Sequence, residues 1–156
     1  RSTLFPYTTL FRSQPLLFLV NRYEQWRKLA EPALKRGETV ILTRNWLSTL
    51  IYEGYAGGVS KSLIFRLHKE VMPEPYFKPD KMVILTLSDE ERQKRLIAQA
   101  KEQGRVGEVL KTQPSEFQKK VNMAYLKVAD EMGIETLDTK GTIAEVQERL
   151  RQKLGW

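Results

Sequence analysis

Apolar residues at Leu16, Leu19, Val20, Tyr23, Trp26, Ala30, Ala33 and Leu34 recur every three or four positions, the spacing of one helix face. The pattern predicts a helix opened by Gln14-Pro15, with Pro at the first helical position. Pro32 is expected to kink or shorten it, and Gly37 to cap it. Thr39 to Leu42 is a short β-branched run and predicts a buried strand. A second helix is predicted from Leu47 to about Gly54, followed by a loop over 55–58. Ser60 can cap a helix through about Val71. The Pro-rich stretch PEPYFKPD is a loop, and KMVILTL (81–87) predicts the strongest strand. Ser88 opens the next helix with Asp89, Glu90 and Glu91 at its positive end, and that helix fades over 101–107. Further elements are a helix from about Pro114 to Met132, a strand over 134–137 and an amphipathic helix from Thr142 to Leu154.

Strands separated by helices predict βαβ units and a parallel sheet, an α/β fold. The runs VIL and MVIL are apolar throughout, as expected for strands covered on both faces. A chain of 156 residues has the length of one domain.

The first thirteen residues, RSTLFPYTTLFRS, stand apart. They repeat TLF, carry no acid and show no helical period. They resemble translated sequencing-adaptor sequence and make a poor signal peptide, because Pro6 to Thr9 interrupt the apolar core. The expectation is a non-native tail over 1–13 and a domain over 14–156 that is incomplete at its amino end.

Composition narrows the chemistry. The chain has no cysteine and one histidine, which excludes disulfides, Cys-ligated metal and a His-rich zinc site. No metal ligand is assigned. No apolar run approaches the roughly 20 residues of a membrane span, so a cytoplasmic protein without membrane contact is expected. The net charge of +7 favours phosphate-bearing partners. Acids interspersed along the chain, and the lack of a Lys/Arg block, argue against nucleic acid. His68, beside Lys69 and Glu70, is expected on the surface with no role.

Candidate chemistry gathers between Leu16 and Gly58. Groups in open α/β sheets collect beyond the carboxyl ends of the strands, where Thr43-Arg44 follows the strand over 39–42. Arg44 suits bidentate contact with a phosphate. Phe18 and Arg22, four apart, share one helix face and suit stacking on a base and reaching its polar edge. Ser48 and Thr49 can hydrogen-bond a ligand or cap the helix, and Tyr52 lies on the same side as Ser48.

This order resembles the thymidylate kinase family. LLFLVNRYEQ resembles its LLF-x-x-x-R helix, EPALKRGETVI its helix-to-strand connection, and TRNWLST its Asp-Arg strand end with the following Ser-Thr. YEGYAGG is similar to its Tyr-Gln-Gly-Gly-Gly-Arg-Gly loop, and KPDKMVILTLSDEERQKR to its Pro-Asp strand and next helix. The resemblance implies a P-loop NTPase-type fold, a three-layer parallel sheet flanked by helices. It implies transfer of the γ-phosphoryl group of ATP to dTMP, with Mg2+, in dTTP biosynthesis. Phe18 would then stack on thymine, Arg22 contact the base or phosphate, and Arg44 bind the acceptor phosphate. Ser48, Thr49 and Tyr52 would line the acceptor site. Arg95 would lie near a lid over 101–111, where Arg105 could neutralise the phosphoryl group in flight. Asp138 and Thr139 would sit by the adenine. A homodimer through the helix over 16–36 is implied as well.

The chain departs from the family at Thr43 (Asp), Glu53 (Gln) and Gly57 (Arg), and its lid stretch lacks an Arg-rich signature. It contains no G-x-x-x-x-G-K-[ST], the loop that cradles donor phosphates. The first strand and P-loop are therefore expected before Gln14, and the fragment is expected to be inactive. That strand would lie between the strands over 39–42 and 82–87, so the isolated chain is expected to expose edges and be marginally stable. TLFPYTTLF is expected to fill the gap only in part, because Pro6 disrupts pairing. Rival readings are a kinase for another nucleoside or nucleotide, a non-catalytic nucleotide-binding or interaction protein, and a basic nucleic-acid binder.

Overall fold

The computed structural model describes residues 8–104 and 116–156, with side chains from Ser13 onward. The chain forms two compact units, Arg1–Pro79 and Asp80–Trp156. Among the described residues no helix is long and apolar enough to cross a membrane.

The first unit opens with α1 (Thr8–Gln25), a π-helical segment (Trp26–Ala30) and α2 (Glu31–Lys35) in continuous succession. The helix begins at Thr8, so Pro15 lies inside it rather than at its first position. Thr8 to Leu10 are helical, not a strand filling a sheet, and residues 1–7 lie outside the described set. Pro32 explains the π segment. It has no N–H to donate, and its ring would meet the carbonyl four residues back. Widening the preceding turn, with Glu31 N bonding Trp26 O, makes room for it. Gly37 ends the run at φ +77, its N–H donating to Leu34 O at 2.9 Å, as predicted.

The strand expected over 39–42 does not form. Those residues have no regular structure, and Ile41 is 67% exposed. An apolar run becomes a strand only where a neighbour takes up its backbone groups, and among the described residues none does. Next come α3 (Trp46–Thr49), a second π segment (Leu50–Ala56), α4 (Lys61–Val71) and a 3-10 turn (Glu74–Phe77). Ser60 caps α4, accepting from Leu63 N. Ile51 and Ile64 form the centre of this unit's core with Leu19, Trp26, Trp46 and Tyr76.

The second unit holds β1 (Val83–Thr86), α5 (Asp89–Glu102), α6 (Glu116–Met132), β2 (Glu135–Asp138) and α7 (Ile143–Leu154). β1 and β2 pair in parallel, Val83 with Glu135 through Thr86 with Asp138, with no further strand among the described residues. Ile84 and Leu137 turn inward toward a core that includes Val121, Ala124 and Val128 of α6. Leu85 is 55% exposed, so β1 is covered on one face rather than two. Ser88 caps α5, and Thr142 and Glu145 form a reciprocal capping box at α7. Thr142→Ala is expected to cost about 1 kcal/mol, read as a lower denaturant midpoint.

Candidate functional site

The residues 43–45 form the corner that positions the site. Arg44 has φ 67, the one positive-φ residue other than glycine among those described. A left-handed backbone costs a side-chain-bearing residue about 1–2 kcal/mol, and such strain concentrates at functional sites. The corner delivers Asn45 in extended backbone, and its Oδ1 accepts from Leu47 N at 3.0 Å. Asn45 therefore caps α3. Ser48 and Thr49 are not needed for that task and are buried inside the helix.

Arg22, Gln25, Trp26, Leu42, Thr43, Arg44 and Tyr76 line one cleft of about 20 Å³, room for about one water. Arg22 and Arg44, 22 residues apart in sequence, thus meet at one place. Each guanidinium lies over an aromatic ring. Arg22 Cζ is 5.3 Å from the Phe18 centroid, and Arg44 Cζ is 5.2 Å from that of Tyr52. Cation–π contacts at this range steady a guanidinium over the ring face. Phe18 is 44% exposed, leaving ring surface for stacking. Among the described residues the Thr49 hydroxyl is buried without a hydrogen-bond partner.

Trp26 extends the series Phe18, Arg22, Trp26, spaced by four on one helix. That spacing was legible, although Trp26 reads as core from pattern alone. Tyr76 reaches the cleft from the Pro-rich loop, where no local signal marks it. Its hydroxyl pKa is pushed up to about 12, mainly by burial.

The second π segment carries Tyr52 and Glu53. Such segments recur at functional sites. The departure at Gly57 has a steric reason, since a Cβ there would stand 2.8 Å from Glu53 O and 3.0 Å from Tyr52 O. Glu53 is buried, and its Oε2 has no hydrogen-bond partner among the described residues. Burial raises its pKa. The folded chain therefore holds this proton to higher pH than the unfolded chain. Its contribution to stability is complete below the unfolded pKa and is lost as pH rises through the folded one. Glu53→Gln is expected to remove that loss, so the variant gains stability over the parent only as pH rises through this window. Denaturant midpoints across the window measure it, and a gain independent of pH would contradict the assignment.

His68 is 1% exposed, which corrects its expected surface position. Lys69 and Glu70 face solvent, but one helix residue earlier points inward, and its Nδ1 lies 2.9 Å from Ile64 O.

The remaining candidates belong to the second unit. Arg95 donates to the carbonyls of Thr139 and Gly141 and pairs with Glu91 at 3.7 Å. Thr139 Oγ1 donates to Thr86 O at 2.8 Å, and Asp138 Oδ1 accepts from Lys140 N at 2.9 Å. Arg95, Asp138 and Thr139 thus gather around the turn after β2. Arg105 and most of the lid stretch lie outside the described residues.

A profile of the thymidylate kinase family matches residues 3–150. The chain is 33% identical over 122 residues to the thymidylate kinase of Coprothermobacter proteolyticus, covering 78% of this chain and 59% of that protein. It is 31% identical over 142 residues to that of Mesoplasma florum, covering 90% and 64%. It therefore spans about three fifths of the length of these curated relatives. The crystal structure of thymidylate kinase from Ehrlichia chaffeensis superposes with a TM-score of 0.68 at 23% identity, over 94% of this chain and 66% of that one, a likeness of fold.

Proposed function

The chain belongs to the thymidylate kinase family, and we propose that its first unit is the acceptor-nucleotide half of a dTMP kinase site. In this reading the whole protein moves the γ-phosphoryl group of ATP to dTMP, giving dTDP, in the cytoplasm. The observation that carries it is the convergence of Arg22 and Arg44 on one cleft, each over an aromatic ring. Arg44 takes the acceptor phosphate, Arg22 the base edge or phosphate, and Phe18 stacks on the base. Ser48, Thr49 and Tyr52 are assigned to the acceptor site in this reading, although they stand outside the residues that line the cleft; Tyr52 is tied to it by the Arg44 guanidinium over its ring. The cleft as it stands is far smaller than the 300 Å³ or more of ordinary ligand pockets, so binding requires the 42–44 corner and α1 to part.

Arg95, Asp138, Thr139 and Arg105 are assigned in this reading to the donor side. Mg2+ is a separate matter. Among the described residues no three His, Cys, Asp or Glu side chains gather to hold an ion, and Thr43 offers a hydroxyl where the family pattern has a carboxylate. Mg2+ in phosphoryl transfer is held by one or two carboxylates together with the nucleotide phosphates, and no described residue is assigned to it here. The 156 residues contain no G-x-x-x-x-G-K-[ST], so they are expected to bind acceptor without transferring phosphate by themselves. Exposed Leu16, Leu17, Val20 and Leu29 on the first helical run support a homodimer contact there.

Titration of the chain with dTMP, dUMP and dGMP tests the substrate assignment. dTMP is expected to bind tightest. Equal affinities would leave only a phosphate site, and preference for dGMP would move the assignment to another nucleotide kinase.

A further inference from the structure

α4 carries a buried imidazole that the acceptor site does not itself use. His68 is the chain's single histidine. A carbonyl oxygen can only accept, so the 2.9 Å contact between Nδ1 and Ile64 O places the proton on Nδ1. Nε2 then carries a lone pair, and it is buried without a hydrogen-bond partner among the described residues. α4, which carries His68, packs against α1, which carries Arg22. Arg22 Nε and Nη1 are likewise shielded from solvent, and the guanidinium lines the cleft with Tyr76.

We propose that His68 is a positioning residue for acceptor binding, an uncharged wall with an open lone pair that keeps the Arg22 guanidinium seated at the cleft. The proposal rests on the acceptor-site reading given above. An imidazolium at this place would set a second buried cation against Arg22, and like charges in a desolvated site separate or lose a proton. Arg22 would turn away from the cleft, and the acceptor would lose a contact. His68 is already held below its ordinary pKa, chiefly by burial and further by the charge of Arg22. The same charge reaches Tyr76. Arg22 from α1 is thus the charge that acts on His68, with Tyr76 of the 3-10 turn under the same charge, while Tyr55 of the π segment and Glu74 of the turn face Lys61 and Lys69 at other positions of α4. Glu53, on the π segment, is shifted by burial alone, so it supplies no counter-charge. α3 contributes no titratable side chain.

The single histidine makes the test direct. Nitrogen-15 NMR of the chain follows one imidazole through a pH titration. Protonated Nδ1, bare Nε2 and a pKa below the usual histidine value are expected, with Arg22→Gln raising that pKa. An Nε2–H tautomer, or a pKa unmoved by Arg22→Gln, overturns the proposal whatever nucleotide binds. dTMP affinity of the parent and of His68→Gln, which keeps an acceptor and cannot titrate, is then compared over the same pH range. The parent is expected to lose affinity relative to His68→Gln as pH falls below the His68 pKa, by at most about tenfold per pH unit and levelling off once the lost Arg22 contact is fully felt. Because both proteins meet the same phosphate titration, that term cancels. Parallel curves overturn the positioning role. Failure of both proteins to bind dTMP at neutral pH, with the NMR coupling intact, overturns the acceptor-site reading on which the role depends.

Discussion

Arg44→Gly is expected to weaken dTMP binding by about 30- to 150-fold, the loss of about 2–3 kcal/mol of charge-assisted hydrogen bonding, while leaving fold stability nearly unchanged. The two effects separate because Arg44 stands at φ 67. Glycine releases about 1–2 kcal/mol of left-handed strain. Against that stand the contacts of its exposed side chain, among them the cation–π contact with Tyr52, about 0.5–1 kcal/mol at an exposed site, and the chain entropy of a glycine, about 0.5–1 kcal/mol. These terms offset one another. A residue serving the fold would show the reverse, a lower midpoint and unchanged affinity. Calorimetric titration with dTMP beside a urea melt distinguishes the two cases.

Trp46→Ala is expected to cost about 3–5 kcal/mol of stability, the largest effect of any single change considered. Trp46 is 5% exposed and packs against Phe65 at 5.8 Å and Phe77 at 5.9 Å between centroids. It starts α3, so it ties Ser48, Thr49 and Tyr52 to the core of the first unit. A stable domain has only about 5–15 kcal/mol to lose, and the substitution brings this unit close to unfolding. Trp46→Phe is expected to recover roughly half, because a ring remains. A loss below about 1 kcal/mol for Trp46→Ala, read from denaturant midpoints, would show that this aromatic cluster does not anchor the helix.

Local chemistry made the helix ends legible. Ser60, Ser88 and Gly37 all act where their side chains or backbone freedom predict, because a cap needs only its own first or last turn. The 39–42 strand failed for the opposite reason, since pairing depends on residues far away in sequence. The π segments were not legible either. One follows from Pro32 and the crowding of its ring, and neither has a hydrophobic period of its own. In the site, Phe18 with Arg22 could be read from four-residue spacing, and Arg44 from its place after an apolar run. Their convergence on one cleft required the fold. Ser48 and Thr49 also read as caps in the sequence, which masks Asn45 as the residue that caps α3. The charged neighbours of His68 suggest a solvated face, but adjacent helix residues point about 100° apart, and His68 is buried.

The central claim is that the first unit receives an acceptor nucleotide at the meeting place of Arg22 and Arg44. A crystal structure of the chain with dTMP tests it most directly. The account predicts the phosphate within hydrogen-bonding distance of the Arg44 guanidinium and the thymine ring stacked on Phe18, with the 42–44 corner drawn away from α1. Nucleotide bound elsewhere, or bound here with its phosphate remote from Arg44, would contradict it.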